Sequence, residues 1–224
     1  MKINEIYCGD ALHLIKQLDD NSVDHVITSP PYNRKRNDKY SFYSDTINDY
    51  YAFLDMSIAE CLRVSKKYVF FNIQQTYYNR KDVHKIIGKY SDKIQDMIIW
   101  GKTNPMPASG NSITNSFEYI IVFGNIPLKS NQTYTKNLIL TSVNSNMPSI
   151  HKAVMKPEVC SWLVEKFTKE NEVILDPFMG VGTTALTAKQ LNRNFLGFEL
   201  SETYVNYAKK QLETQSNIQN DMFD

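Results

Sequence analysis

Short apolar runs alternate with longer amphipathic runs along nearly the whole chain, and this alternation constrains the fold more than any other feature. The short runs predict strands at 3–7, 23–27, 68–73, 94–100, 118–123, 173–175 and 195–198. The longer runs carry apolar residues three and four positions apart, which predicts helices at 11–18, 49–63, 80–89, 157–167, 183–191 and 202–213. Strands and helices in this order predict an α/β fold with a mostly parallel sheet and helices on both faces.

Two parts of the chain depart from the alternation. The strands at 94–100 and 118–123 are joined by a stretch rich in proline, glycine and asparagine, which predicts an antiparallel hairpin at the edge of the sheet. Residues 125–149 are polar and lack clear periodicity, so we expect a loop there. We therefore expect one domain, made of halves at about 1–124 and 151–214, a short insertion at 125–150 and a tail at 215–224.

Composition and charge exclude several classes of protein. With 42% hydrophobic and 22% charged residues, the chain can bury a core and is not globally disordered. A net charge of +1 is not the strongly basic balance of a protein that lives on nucleic acid, although a local basic patch remains compatible with it. No apolar stretch approaches the ~20 residues of a membrane span, and no signal-peptide layout is present. We expect a cytoplasmic protein.

The cysteines and histidines show no metal-binding spacing. Cys8, Cys61 and Cys160 are far apart and form no CxxC pair, and the four histidines are scattered. We expect no metal site. We expect the cysteines to be packed as small hydrophobes in a reducing compartment.

A glycine-containing turn lies between the strand at 173–175 and the helix at 183–191. It comprises Asp176, Pro177, Phe178, Met179, Gly180, Val181, Gly182, Thr183 and Thr184. Open α/β sheets bind ligands at this place, outside the carboxyl end of a strand. The glycines let backbone approach a ligand closely, and the threonines can cap the helix or face the ligand. Because neither GxGxxG nor GK[ST] is present, the turn suits a ligand with a charged amino-acid end better than a polyphosphate.

Two more acids follow predicted strands. Glu199 closes the strand at 195–198, where a carboxylate can accept hydrogen bonds from both hydroxyls of a ribose. Asp10, followed by Ala11, comes after the first strand. Alone, Asp10 is a helix N-cap. If its strand lies beside that of Glu199, Asp10 could instead bond an adenine amino group, and both interpretations stay open.

The segment Ser29-Pro30-Pro31-Tyr32 leaves the strand at 23–27 at its carboxyl end. Consecutive prolines lack N–H groups and lock the backbone, so this segment presents carbonyl oxygens without competing donors. Ser29 adds a hydroxyl oxygen and Tyr32 a flat aromatic surface. A strand-ending turn without catalytic function is the alternative interpretation.

This combination suits chemistry on the amino group of adenine or cytosine, whose lone pair is delocalised into the ring. Hydrogen bonds from its two N–H groups to Ser29 Oγ and the Pro30 carbonyl would favour a tetrahedral nitrogen that can attack a sulfonium methyl group. Tyr32 would stack on the base, which is worth ~1–3 kcal/mol. The base must leave its duplex to reach such a pocket.

Together these segments resemble the permuted, β-type DNA amino-methyltransferases, with the catalytic loop first and the cofactor turn last. The resemblance implies a Rossmann-like fold with a seven-stranded sheet, S-adenosyl-L-methionine as cofactor and double-stranded DNA as partner. It identifies Ser29 to Tyr32 as the catalytic motif, Asp176 to Thr184 as the cofactor motif and Glu199 as the ribose-binding acid. His151, Lys156 and Pro157 resemble the segment over the methionine end of the cofactor. Residues 100–105 and 115–123 resemble the region beside the target-base pocket.

One departure from the family concerns target recognition. The family's recognition region lies between the hairpin and the cofactor half, and here that gap is only about 125–149. A recognition region this short either recognises a short DNA site or is completed by contacts from a second subunit, so a homodimer stays open. Just past the catalytic loop, a basic run predicts phosphate contacts, with a solvated loop as the alternative. Its DNA-binding residues are Arg34, Lys35, Arg36 and Lys39.

The target base and the class of substrate are less constrained. Ser29 resembles the cytosine-N4 enzymes of this arrangement, whereas Asn33 is more familiar from adenine-N6 relatives. We favour cytosine N4. The alternatives are an RNA or protein amide methyltransferase and a non-catalytic partner subunit, and a cognate restriction endonuclease is a further partner that the family allows.

Overall fold

The computed structural model describes residues 1–34, 46–108, 113–143 and 155–221, and within them one sheet organises the chain. Its strands are β1 (Glu5–Cys8), β2 (Val23–Thr28), β3 (Ser65–Ile73), β4 (Ile94–Lys102), β5 (Phe117–Gly124), β6 (Leu138–Thr141), β7 (Val173–Asp176) and β8 (Asn194–Glu199). The helices are α1 (Ala11–Leu14), α2 (Tyr50–Val64), α3 (Arg80–Lys89), α4 (Pro157–Phe167), α5 (Thr183–Gln190) and α6 (Glu202–Asp221).

The eight strands follow the order β1-β8-β7-β2-β3-β5-β4-β6. All neighbours pair in parallel except β5, which is antiparallel to both β3 and β4. The predicted α/β class with a mostly parallel sheet is therefore confirmed.

The sheet differs from the prediction at the β6 edge. It has eight strands among the described residues rather than the seven implied by the resemblance, and the β4–β5 hairpin lies one strand inside the edge. The extra strand, Leu138–Thr141, falls in the segment predicted to be a loop. Four residues at an edge give too short a pattern to detect, because only Ile139 is buried while Leu138 and Leu140 remain exposed. Trp100 Nε1 donates to Thr141 Oγ1 at 2.8 Å and helps to hold β6 against β4.

Both faces of the sheet are buried beneath helices. Phe70 and Phe71 are neighbours in β3, point to opposite faces and are both buried. The Phe70 face carries apolar side chains of α4, α5 and α6, and the Phe71 face carries those of α2 and α3. The predicted helices at 80–89 and 157–167 have the observed bounds, whereas the predicted first helix stops at Leu14 and continues as a 3-10 turn over Ile15–Gln17.

The parallel strands β7 and β2 are neighbours in the sheet, but the connections that follow them lead to opposite sides of the sheet. From β7 the chain passes through α5 to β8, whereas from β2 it passes through α2, on the opposite face, to β3. Loops that diverge to opposite faces leave a crevice at the carboxyl ends of their strands, where open α/β sheets bind ligands. Both predicted functional segments begin at this crevice.

The exposure of the three cysteines tests the prediction that they are packed as small hydrophobes. Cys61 and Cys160 are buried as expected, but Cys8 is exposed at the end of β1, so its predicted packing is wrong. Strand β1 is at the sheet edge, and the last residue of so short a strand has little to pack against. In the described part of the chain, no helix combines the length and apolar character required to cross a membrane.

Candidate functional site

The two loops of the crevice are joined at their roots by a side-chain hydrogen bond. Thr28, the last residue of β2, donates from Oγ1 to Asp176 Oδ1 at 2.7 Å, and Asp176 is the last residue of β7. Both side chains are buried. Because β2 and β7 are parallel neighbours, Ser29 to Tyr32 therefore start directly beside the glycine turn.

Asp176 organises the glycine turn from within. Its carboxylate accepts from Thr28 Oγ1, from Phe178 N at 3.0 Å and from Thr184 Oγ1 at 2.7 Å. Burial raises the pKa of Asp176 to about 6, and the hydrogen bonds from Thr28 and Thr184 partly oppose that shift. These contacts hold the turn against the start of α5, so Thr184 faces the carboxylate.

The two glycines of the turn have a positive φ in common but differ in their surroundings. Gly182, with φ of 92°, is so close to α6 that an added Cβ would lie 2.7 Å from Ala208 Cβ. Gly180 has φ of 55°, but no heavy atom lies within 4 Å of the place of its Cβ. Gly182 is thus required for packing, whereas Gly180 borders open space. Pro177 is buried, and Phe178 and Thr183 are partly exposed at the turn.

Glu199 completes the cofactor side of the crevice. The side chain is buried and accepts from the backbone N–H groups of Gly180 and Ser201, both at 2.8 Å. Burial raises the pKa of Glu199, and these backbone hydrogen bonds oppose the rise. Leu200 N–H is a third backbone donor to this carboxylate, which has about four lone-pair sites, so a site remains that can accept from a ligand hydroxyl.

The position of Asp10 is compatible with both interpretations of this residue, as a helix N-cap and as a ligand contact. Strand β1 pairs with β8 in a register that places Cys8 opposite Glu199, so Asp10 lies beside the same edge. Asp10 Oδ1 also accepts from His13 N at 2.9 Å and caps α1, with Ala11 as the first helical residue. Capping occupies one carboxylate oxygen and leaves the other for a ligand.

The start of α4 lies near the glycine turn. The thiol of Cys160 contacts the side chains of Thr184 and Thr187 on α5. Lys156, the N-cap position, is buried and its ammonium donates to the Ser142 carbonyl just past β6, while Pro157 is exposed in the first turn. His151, predicted in the same segment, lies outside the described residues.

The crevice fits S-adenosyl-L-methionine. Open space beside Gly180 lies next to Glu199, whose carboxylate suits the hydroxyls of a ribose. No cluster of three or more His, Cys, Asp or Glu side chains in the described part of the chain is arranged to hold a metal ion.

The segment Ser29 to Tyr32 is fixed by contacts from three other parts of the chain. Tyr50 of α2 donates to the Pro31 carbonyl at 2.7 Å, and Asn79 donates from Nδ2 to the Tyr32 carbonyl at 2.8 Å. Asn33, with φ of 53°, binds both the N–H and the carbonyl of Ile47 through its side chain. Pro30 is buried. The loop is therefore rigid before any ligand binds.

Tyr32 is embedded in a buried polar network. Its hydroxyl lies 2.7 Å from Ser29 Oγ, 2.9 Å from Glu118 Oε2 and 2.7 Å from Asn72 Nδ2. Glu118 in turn pairs with Lys102, whose Nζ lies 2.6 Å from Oε1. Burial, followed by the charge of Glu118, raises the pKa of Tyr32 well above its ordinary value, so the phenol keeps its proton at neutral pH.

Sequence reasoning did not identify Thr28, Asn72 or Glu118 individually. Asn72 and Glu118 are polar residues inside the apolar runs 68–73 and 118–123, and a polar residue in such a run is the one signal that would have found them. Thr28 resembles any β-branched strand residue. Its role depends on a partner 148 positions away.

Of the four predicted DNA-binding residues, only Arg34 is described. Its guanidinium lies 5.3 Å from the centroid of the Tyr32 ring and also bonds Gln74 Oε1. Tyr32 is only 8% exposed as a result of this cover and the buried network. Lys35, Arg36 and Lys39 lie outside the described residues.

Comparisons with known proteins agree with this geometry. Residues 23–210 match a family model described as DNA methylase. The type II methyltransferase M.HinfI of Haemophilus influenzae is 26% identical over 94% of this chain and 68% of its own length. The type II methyltransferase M.MwoI of Methanothermobacter wolfeii is 31% identical over 93% of this chain, which spans only 34% of that relative.

Solved structures show the same fold. The complex of M1.HpyAVI with SAM has a TM-score of 0.67 and 26% identity, and the match covers 93% of this chain and 98% of that one. The cytosine-N4-specific PvuII DNA methyltransferase has a TM-score of 0.74 at 18% identity, with 91% and 84% of the two chains covered.

Proposed function

This chain belongs to the DNA methylase family of N6 and N4 amino-methyltransferases, and from that premise we propose that it methylates cytosine N4 in double-stranded DNA. The family uses S-adenosyl-L-methionine, which supplies an electrophilic methyl group on a sulfonium. The observation that carries the proposal is the Thr28–Asp176 hydrogen bond. It sets the Ser29 hydroxyl and Pro30 carbonyl beside the glycine turn in one crevice.

On the cofactor side, the ligand is proposed to enter the open space beside Gly180. Glu199 accepts from the ribose hydroxyls and Asp10 from the adenine amino group. The backbone of the turn and the start of α4 border the methionine end. These contacts involve Asp10, Ala11, Lys156, Pro157, Asp176, Pro177, Phe178, Gly180, Gly182, Thr183, Thr184 and Glu199.

On the base side, Ser29 Oγ and the Pro30 carbonyl accept the two N–H groups of the target amino nitrogen. A nitrogen held in this way directs its lone pair out of the ring plane and is a better nucleophile. Pro31 stiffens the loop, and Tyr32 supports the base. The base reaches this crevice only after it leaves the duplex stack.

Arg34 covers one face of the Tyr32 ring. A base that stacks on this face displaces the guanidinium, whose charge then becomes available for a DNA phosphate. Lys35, Arg36 and Lys39 are proposed to bind phosphates from the same segment. Neutralising this basic run should therefore weaken DNA binding and reduce its dependence on salt.

Cytosine is favoured over adenine because the first residue of the loop is Ser29. A serine hydroxyl is a weaker acceptor than the carboxylate of aspartate, the residue that the adenine enzymes of this arrangement carry. Asn33 argues in the other direction, but its side chain is engaged by the backbone of Ile47 and supports the loop. Adenine N6 is the alternative target.

The test is methyl transfer from tritium-labelled S-adenosyl-L-methionine to unmethylated bacterial genomic DNA. Digestion to nucleosides and mass spectrometry then identify the product. We expect N4-methylcytosine, and we expect Ser29→Ala to abolish labelling while calorimetry shows unchanged cofactor binding. Detection of N6-methyladenine would instead identify adenine as the target base.

Parallel reactions with RNA and with protein test the other substrate classes. Label in either of these but not in DNA would overturn the proposal. Failure to bind the cofactor would instead identify a non-catalytic subunit. A homodimer and a cognate restriction endonuclease are further proposals, tested by sedimentation of the protein and by cleavage assays with neighbouring gene products.

A further inference from the structure

We propose that Glu118 is a positioning residue that sets the direction of the hydroxyl hydrogens in the catalytic loop, so that Ser29 Oγ faces the target amino group only as an acceptor. The inference rests on the proposed function and adds a residue that acts through Tyr32 and Ser29. Glu118 is on β5, next to β3 and outside both loops of the crevice.

The hydrogen bonds around the Tyr32 hydroxyl determine whether Tyr32 or Ser29 is the donor between them. The phenol has one hydrogen and donates it to Glu118 Oε2 at 2.9 Å. Its oxygen can accept two hydrogen bonds, and two neighbours lie at 2.7 Å, Asn72 Nδ2 and Ser29 Oγ. Since the phenol hydrogen is already used, the Ser29 hydroxyl must donate to Tyr32.

Asn72 and Lys102 hold the acceptor end in place. Asn72 Nδ2 donates to Glu118 Oε2 at 2.9 Å, so that oxygen receives two hydrogen bonds. Rotating the Asn72 amide would set its oxygen against the carboxylate, which disfavours the reverse arrangement. Lys102 takes the other carboxylate oxygen at 2.6 Å and balances the charge of Glu118, which is only 5% exposed.

The consequence falls on Ser29. Its hydrogen points to Tyr32, so the remaining lone pairs of Oγ are directed elsewhere, and Ser29 is partly exposed at the crevice. The nearest further donor is Asn72 Nδ2, at a weaker 3.3 Å. An acceptor-only hydroxyl favours an amino group and disfavours the carbonyl oxygen of thymine or guanine.

Removing the acceptor should reverse the chain of hydrogen bonds. In Glu118→Met, the phenol hydrogen of Tyr32 has Ser29 Oγ as its nearest acceptor. Ser29 would then accept from Tyr32 and turn its own hydrogen toward the target amino group. Glu118→Gln keeps an amide oxygen that can accept from Tyr32, so it should recover most of the lost rate.

The experiment is a double-mutant cycle with Tyr32→Phe, Glu118→Met and the double variant, assayed on unmethylated bacterial genomic DNA. We expect kcat to fall about 10- to 100-fold in each single variant, the size of one hydrogen bond to a reacting group. The double variant should be no slower than the slower single one, because both changes break the same chain. The KM for DNA and the cofactor Kd from calorimetry should stay within about twofold of their wild-type values.

Glu172→Met is the matched control. Glu172 is likewise a carboxylate bonded to a lysine, Lys67, but it lies at the amino end of β7, whereas the crevice is at the carboxyl end of that strand. The Glu172→Met variant should have a lower free energy of unfolding than the wild type and the same kcat.

Three results would overturn the inference. These are full activity of Glu118→Met, multiplicative losses in the double variant, and Glu118→Gln no faster than Glu118→Met. Wild-type protein that labels no DNA would remove the proposed function and this inference with it, whereas the other three results remove only the inference.

Discussion

Thr28 Oγ1 and Asp176 Oδ1 are joined by a 2.7 Å hydrogen bond between the last residues of two adjacent parallel strands. One strand leads into the loop proposed for catalysis and the other into the turn proposed for the cofactor. Because both side chains are buried, the bond fixes the spacing of the two loops from below the crevice. The proposed reaction depends on that spacing, since the amino nitrogen and the methyl group must meet in line.

Thr28→Val tests this bond directly. The substitution keeps the shape of the side chain and leaves Asp176 with one hydrogen-bond donor fewer. We expect the free energy of unfolding to fall by about 2 kcal/mol, as for a buried hydrogen bond to a charged group. Urea unfolding at pH 7 measures it.

Thr76→Val is the matched control for Thr28→Val. The Thr76 hydroxyl oxygen is buried and has no hydrogen-bond partner among the described residues. Its replacement by a methyl group should leave stability unchanged or raise it. Equal losses in the two variants would contradict a special role for Thr28.

Asp176 makes stability depend on pH in an unusual direction. Burial raises its pKa in the folded protein to about 6, above the ordinary 3.8. A carboxyl group with a raised folded pKa contributes stability that is present below the unfolded pKa and lost as pH rises through the folded pKa. Relative to Asp176→Asn, the cofactor-free wild type should lose about 2 kcal/mol between pH 4 and pH 7. Urea unfolding across that range measures the difference.

The contribution of Glu172 to stability should depend on pH in the opposite direction to that of Asp176. Partial burial raises its pKa, but hydrogen bonds from His25, Lys67 and the Lys169 backbone outweigh burial and bring it to about 2. Its contribution is therefore present above pH 4.5 and lost as pH falls toward 2. The difference between wild type and Glu172→Gln should shrink on acidification. The same slope for both residues would show that the Asp176 interpretation is wrong.

The two glycines of the turn should separate stability from cofactor binding. In Gly182→Ala the new Cβ collides with Ala208, and the backbone holds a φ of 92°, so we expect a loss of about 2–3 kcal/mol in unfolding free energy. In Gly180→Ala the Cβ enters open space, and the φ of 55° costs about 1 kcal/mol.

Cofactor affinity should follow the reverse order. The Cβ of Gly180→Ala narrows the space proposed for the ligand, and we expect the Kd to rise about tenfold or more, equivalent to ~1.4 kcal/mol. Calorimetry on both folded variants measures this. Unchanged affinity in Gly180→Ala would place the ligand elsewhere.

The cysteines should differ sharply in reactivity. Burial raises the pKa of Cys160 to about 12 and that of Cys61 further above its ordinary value, whereas Cys8 is exposed. Because the thiolate is the reactive form, a thiol-disulfide reagent at pH 8 should modify one thiol per chain quickly and the other two only on unfolding. Cys8→Ser should remove the fast phase, and a fast phase that survives would contradict the burial of Cys61 and Cys160.

Local periodicity was sufficient to predict most of the framework. The helices at 80–89 and 157–167 have their predicted bounds, because an amphipathic pattern of ten or more residues identifies both face and length. The same pattern put Ser29 to Tyr32 and the glycine turn at the ends of two strands, and parallel strands bring their carboxyl ends to one end of the sheet. The fold class and the position of the candidate site were thus determined by the sequence itself.

The tertiary structure alone decided the contacts between distant segments. Strand β6 is stabilised by pairing with β4 and shows no pattern of its own within four residues. Thr28 and Asp176 meet across 148 positions, and Tyr32 meets Glu118 across 86. A hydrogen bond depends on angstrom-scale placement of both partners, and that placement results from packing the whole sheet rather than from the residues next to either partner.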